Sequence, residues 1–260
     1  MFLTNDVIFI NIEKPDKTSK DKNTYFIPSL SLFCKKMETE FNFPTYAISF
    51  DIEADGRLPS TSSMIELGMV VGNIVTNEII HRFKVAIKPR TDRAPDENTA
   101  KFWKDNQARY DEIMANAIEP KAAMERVYYE VLRPYLFDNN IGYSTIFIAH
   151  PAAYDWQWLS EYFWTYLGDK SAEFPSWGIG HKAICISSTL AFYMRQNPTT
   201  CAKAIEIVRA ERNDPTLDPT HAMKLALYPK YVNCHDAAQD AEEQFHIYQA
   251  LCFISSCVQW

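Results

Sequence analysis

Tyr46-Ala-Ile-Ser-Phe-Asp51-Ile-Glu53 alternates an apolar set, Tyr46, Ile48, Phe50 and Ile52, with a small and acidic set, Ala47, Ser49, Asp51 and Glu53. A period of two is the mark of a strand. Residues two apart share a face at roughly 6 to 7 Å, so both carboxylates project from the same side. Paired carboxylates ending an apolar strand repel each other unless a cation lies between them, and hard divalent ions with oxygen ligands fill that role. Taken alone, such a pair more often lies in a solvated turn, so the reading depends on what surrounds it. The continuation Asp51-Ile-Glu-Ala-Asp55-Gly56 has the look of half a calcium loop. An EF-hand is excluded, because Ser62 stands where its bidentate Glu belongs and a strand precedes the loop where a helix is required.

Outward from this strand, two more are expected, Ile65 to Ile74 and Ile79 to Lys88, joined by a turn at Thr76-Asn77. Helical patterns follow over Asn98 to Gln107 and Lys121 to Leu136. A buried strand, Thr145 to Ala149, then leads through His150-Pro-Ala-Ala-Tyr-Asp155 into an aromatic-rich helix ending near Leu167. A short strand, Ala183 to Ser187, precedes helices reaching about Arg212, and Asp214 to Thr220 with its two prolines reads as a loop. Asp236 and Gln239 form a capping box for a terminal helix whose stripe is Ala237, Ala241, Phe245, Tyr248 and Leu251. A three-strand meander followed by alternating strands and helices is an α/β order with a mixed sheet. It is compatible with the ribonuclease H-like fold, although order alone does not select it. Residues 1–42 read as an N-terminal extension of unassigned role, with a strand candidate at Val7 to Ile12, and residues 43–260 as the folded domain.

Composition sets the outer bounds. The chain has 260 residues, 47% hydrophobic and 23% charged, which excludes disorder, collagen and coiled coil as global descriptions. Apolar runs such as Val7 to Ile10 fall far short of the roughly 20 residues that span a bilayer, and no basic segment precedes them, so no membrane partner and a cytoplasmic location are expected. Cys34, Cys185, Cys201, Cys234, Cys252 and Cys257 lack C-x-x-C spacing and read as reduced core thiols. A net charge of −7 argues against a protein that coats nucleic acid through a basic surface. It does not exclude a nuclease, because divalent ions in an acidic site invert the local potential.

Two further acids have a suggestive context. Asp155 opens a helix just after a buried strand, where the helix N-terminus stabilises a carboxylate facing the sheet's carboxyl edge, though a simple cap is the competing reading. In His235-Asp-Ala-Ala-Gln-Asp240, a histidine precedes the terminal helix and Asp240 lies among alanines, on or near a close-packed face. Spacing alone is weak, since Asp240-Ala-Glu242 repeats D-x-E and His150 with Asp155 repeats H-x-x-x-x-D. Order and context carry the weight.

From Phe43 to Cys257 the sequence resembles the DEDDh class of 3′–5′ exonucleases, the DnaQ-like, RNase T-like superfamily. Phe50-Asp-Ile-Glu53 is similar to its first motif, His150-Pro-Ala-Ala-Tyr-Asp155 to its second and His235-Asp-Ala-Ala-Gln-Asp240 to its third; Phe102-Trp103 and Cys185-Ile-Ser-Ser-Thr-Leu190 add weaker support. The chain departs from the family at Pro151, where Asn is usual, and at Ser188-Thr189, where Asp-Thr is usual. Neither departure touches a metal ligand.

The resemblance implies an α/β, ribonuclease H-like fold, a mixed sheet flanked by helices. It implies that Asp51, Glu53, Asp155 and Asp240 hold two Mg²⁺ or Mn²⁺ ions, with Asp51 the bridge. His235 is then the general base, since a neutral imidazole near physiological pH can take a proton from water. The implied partner is single-stranded RNA or DNA with a free 3′ end, and a homodimer is compatible with this reading. Trp156, Trp158, Phe102, Trp103 and Tyr154 could stack bases, but Trp156 with Leu159 and Trp158 with Tyr162 have the helical spacing of core residues. The basic segments Lys14 to Lys22 and Arg195 to Arg212 are interrupted by acids and read as solvated faces, and His150, His181 and His221 form no zinc set with the cysteines. The competing readings are a nucleic-acid-binding module of the same fold without chemistry, and a metal-stabilised structural protein.

Overall fold

The computed structural model describes residues 45–138, 145–168, 183–232 and 234–257. The N-terminal extension with its strand candidate, the segment Lys14 to Lys22, Cys34, His181 and the Cys257 side chain lie outside the described residues.

Five strands, β1 (Tyr46–Ala54), β2 (Met64–Asn73), β3 (Glu78–Ala86), β4 (Thr145–Ala149) and β5 (Ala183–Cys185), form one sheet in the order β3-β2-β1-β4-β5. The meander β1-β2-β3 is antiparallel, while β4 and β5 run parallel to β1. At its tight turn Asn73 Oδ1 accepts the backbone N–H of Val75 and Thr76, and Asn77 takes the left-handed conformation (φ 58°) that asparagine tolerates. This is the ribonuclease H-like mixed sheet expected from the sequence.

The helices are α1 (Glu97–Asp105), α2 (Gln107–Asn116), α3 (Pro120–Val127), α4 (Ala152–Leu167), α5 (Ile186–Gln196), α6 (Pro198–Arg212), α7 (Pro219–Leu227) and α8 (Ala237–Cys257). Several depart from the sequence reading. The helix expected over Lys121 to Leu136 is α3 followed by a π-helical stretch, Tyr128–Asp138, that contains Pro134. Proline lacks an N–H and clashes with the preceding turn, so a regular α-helix does not continue through it. The strand expected to reach Ser187 ends at Cys185, where α5 begins. The loop expected from Asp214 to Thr220 stops at Asp218, which caps α7 through His221 N–H while Pro219 occupies the first helical position. Asp236 caps α8 as expected, accepting from Ala238 and Gln239 N–H, but the Gln239 side chain bonds Glu243 instead of returning to the cap.

The two sheet faces divide the core. Ile48, Phe50, Ile52, Leu67, Met69 and Val71 pack with Val127, Trp158, Leu159 and Phe163 on one side. On the other, Ala47, Val70 and Ile148 meet Leu190, Phe245, Tyr248 and Leu251, so the stripe read along α8 is its core face. Complete burial of Phe245 alone contributes about 1.5–3 kcal/mol. Helix α8 can lie this close because β2 has glycine beneath it. A Cβ at Gly68 would overlap the backbone of Ala237 and Ala238, and one at Gly72 would overlap the Phe245 ring. The four described thiols are free, but only Cys201 is buried; Cys185 and Cys252 are half-buried and Cys234 is exposed, which corrects the reading of all as core thiols. Among the described residues no helix is long and apolar enough to cross a membrane.

Candidate active site

Three elements deliver the acids to one place. Asp51 and Glu53 lie near the carboxyl end of β1 on the face that carries Ala47 and Ser49. The parallel strand β4 ends beside them and turns through His150-Pro151 into α4, whose first turn holds Asp155. Across the sheet, Gly68 pairs with Asp51 in the β1–β2 register and admits the N-terminus of α8, which brings Asp240 and the preceding His235 over β1. Ligand atoms of Glu53, His235 and Asp240 lie within 4.8 Å of one another, and His235 Nδ1 is 3.8 Å from Glu53 Oε1. The placement of α8 therefore brings Glu53, His235 and Asp240 together, and Asp51 lies within electrostatic reach of Asp155, Glu53 and Asp240.

The acids are crowded and poorly neutralised. Asp51 keeps some contact with solvent, yet desolvation by the surrounding protein, then the charges of Asp155, Glu53 and Asp240, raise its pKa well above the carboxylate range. Burial and the neighbouring Asp240 and Glu66 do the same to Glu53, against a partial offset from Arg109. Burial pushes Asp155 up to about 8, and burial with Glu243 pushes Asp240 up to about 6. Asp155 Oδ2 is buried with no hydrogen-bond partner. Ionising all four acids near neutral pH is therefore disfavoured unless positive charge is added.

Residues that sequence reasoning missed hold this arrangement. Gln244, one turn beyond Asp240, donates from Nε2 to Asp51 Oδ1 at 2.7 Å. Cys234 N–H donates to Asp240 Oδ1 at 3.2 Å. Glu66, directly opposite Glu53 in the strand register and 2% exposed, accepts from Ala237 N–H and is paired with Arg109. Lys224, held by the Tyr231 hydroxyl at 3.1 Å, lies within electrostatic reach of Asp240, Glu243 and Asp51. A helical i, i+4 relation to Asp240 could have flagged Gln244; a lone acid in the apolar strand β2 could have flagged Glu66. Nothing local marks Arg109.

The competing histidine is differently placed. His150 Nε2 lies 3.2 Å from Ser187 Oγ, and burial, then the Lys224 charge, push its pKa down to about 4. Most of the nearby aromatics are core, as their spacing indicated: Trp158 is fully buried, Trp103 donates its indole N–H to Ala54 C=O, and Trp156 packs on Phe50 and Phe147. Tyr154 ties α4 to the loop after β1 through Gly56 C=O, and the Phe102 ring stands edge-on to His235 with centroids 5.0 Å apart. In the segment Arg195 to Arg212, Arg209 and Arg212 bond the carbonyls of Leu217 and Pro229.

Comparison with solved structures shows a likeness of fold. The zinc-bound E. coli exonuclease I complex with single-stranded DNA matches with a TM-score of 0.53 at 15% identity, covering 81% of this chain and 41% of that one. Cell-death related nuclease 4 matches with 0.51 at 14%, over 82% and 66% of the two chains. The nuclease domain of 3′hExo, a DEDDh family member bound to rAMP, matches with 0.50 at 12%, over 84% and 96%. The chain thus spans less than half the length of the exonuclease I chains it resembles. No curated protein sequence matches it. Residues 46–252 match the family described as the 3′-5′ exoribonuclease Rv2179c-like domain. That span contains every acid of the site and His235, and the chain belongs to this family of 3′–5′ exonucleases.

Proposed function

We propose that the chain is a divalent-metal-dependent 3′–5′ exonuclease that removes nucleotides from the free 3′ end of single-stranded nucleic acid, with RNA the preferred substrate. The observation that carries this is the convergence of Asp51, Glu53, Asp155 and Asp240, all with raised pKa, beside His235. The RNA preference rests on the family's description as exoribonucleases.

The donor set fits hard divalent cations. It is all oxygen apart from one imidazole, it includes an unpartnered buried carboxylate oxygen on Asp155, and its acids are held above their usual pKa first by burial and, for Asp51 and Glu53, then by the charge of neighbouring acids. Asp51, Glu53, Asp155 and Asp240 would hold two Mg²⁺ or Mn²⁺ ions. When bound, such ions supply charge stabilisation for the phosphate and the departing 3′ oxygen. The chain's residues do the rest. His235, whose side chain is 44% exposed, accepts a proton from the attacking water as the P–O3′ bond of the terminal linkage breaks. The water oxygen bonds phosphorus and leaves in the nucleoside 5′-monophosphate, and the 3′ oxygen of the shortened strand takes a proton from solvent to become a hydroxyl.

Matched RNA and DNA oligonucleotides, labelled at either end and incubated in Mg²⁺ or EDTA, test the proposal. Stepwise shortening of 5′-labelled RNA and release of labelled mononucleotide from 3′-labelled RNA, both abolished by EDTA, are expected. Internal fragments, or cleavage that survives chelation, would contradict it. Residues 43–260 are proposed as the nuclease unit.

A further inference from the structure

We infer that Arg109 is a positioning residue for His235, with Glu66 as its buried anchor; the inference rests on His235 being the proton acceptor. His235 belongs to the loop before α8 and adopts a left-handed backbone (φ 55°), a conformation uncommon for residues other than glycine. Its side chain is 44% exposed, with the Phe102 ring against one side, so core packing does not fix it. Its backbone is held by Asp240, and a second restraint comes from a distant helix. Arg109 on α2 donates from Nε to His235 C=O at 3.0 Å, and its Nη2 bonds Glu66 on β2. The same Glu66 oxygen accepts Ala237 N–H at 3.2 Å, and Arg109 Nη2 lies 3.5 Å from Asp236 Oδ2. Arg109 and Glu66 thereby grip His235, Asp236 and Ala237 in succession.

The chemistry requires arginine. Its planar fork presents Nε and Nη2 together, so one side chain can bond a carbonyl and a carboxylate at once, whereas lysine offers a compact point charge. Glu66 stands opposite Glu53, and as an acid it adds repulsion to the site. It nonetheless bonds Arg109 and Ala237, which holds the start of α8 to β2. The remaining Arg109 partner, Glu112 on the same helix, lies 3.1 Å from Nη1 and steadies the fork from the solvent side.

The test measures kcat and KM on 5′-labelled single-stranded RNA in Mg²⁺ for Arg109→Lys and Glu66→Gln, each in the wild-type and His235→Ala backgrounds, with thermal unfolding to show that each variant is folded. Arg109→Lys should lower kcat about 10- to 100-fold, the scale of a small misplacement of a reacting group, with KM unchanged. Glu66→Gln should show the same pattern with a smaller loss. Neither should reduce the rate further once His235 is alanine. An equal loss in both backgrounds would overturn the positioning role in favour of a general structural one, and a raised KM at constant kcat would overturn it in favour of substrate contact. Wild-type kcat in Arg109→Lys beside a slow His235→Ala would sink the inference alone. Wild-type kcat in His235→Ala would sink both it and the reading of His235.

Discussion

Gln244 donates from Nε2 to Asp51 Oδ1 at 2.7 Å, joining the third acidic motif to the first one helical turn beyond Asp240. The amide fixes the orientation of a carboxylate proposed as a metal ligand, and groups of this kind tune both affinity and geometry. Gln244→Ala should raise the Mg²⁺ concentration needed for half-maximal nuclease activity by about 10- to 100-fold. Metal titrations of the rate check this; an unchanged half-saturation would show that Asp51 needs no such support.

Gly68 is where the fold and the site meet. Because a Cβ there would overlap the Ala237 backbone, Gly68→Ala should push the start of α8 away from β2 and cost about 1–3 kcal/mol of stability. The same displacement moves His235 and Asp240, so activity at temperatures well below unfolding should fall too. Thermal melts and rate measurements on the one variant separate the two effects.

What was legible in the sequence follows from how local each signal is. The alternation through Tyr46 to Glu53, the buried run Thr145 to Ala149 and the capped stripe of α8 are short-range patterns, and the elements they indicate are present within a residue or two. The acids lay at the ends of those elements, so topology alone brought them together. Arg109 was invisible because its partners Glu66 and His235 lie 43 and 126 residues away and no periodicity links them. The π-helical stretch was missed because an apolar helical period continues through Pro134 while the backbone cannot. Helix α7 was overlooked because Pro219 reads as a loop residue as readily as the first residue of a helix.

Acid pKa values give the metal-free protein a defined pH dependence. Asp155 at about 8 and Asp240 at about 6 bind protons more tightly in the folded chain than a carboxyl in the unfolded one, near 4. Their contribution to stability is complete below about pH 4 and is lost as pH rises through the folded values. In EDTA the midpoint of thermal unfolding should therefore be lower at about pH 8.5 than at about pH 5.5. Divalent ions bind the ionised acids, so added Mg²⁺ should raise the midpoint more at the higher pH. Calorimetric scans with and without metal at both pH values decide the matter, and a metal effect of the same size at both would count against these acids as ligands.

Asp51 sits among the other three acids and under the amide of Gln244, and the proposed metal site depends on it most. The measurement is the rate of nucleotide release from the 3′ end of 5′-labelled RNA in Mg²⁺ by Asp51→Asn, a nearly isosteric change that removes one negative charge. Release should be no faster than wild-type protein shows in EDTA, with a thermal midpoint in EDTA equal to or above that of the wild type because repulsion among the acids is relieved. A folded Asp51→Asn protein that shortens RNA at the wild-type rate would contradict the proposed metal site.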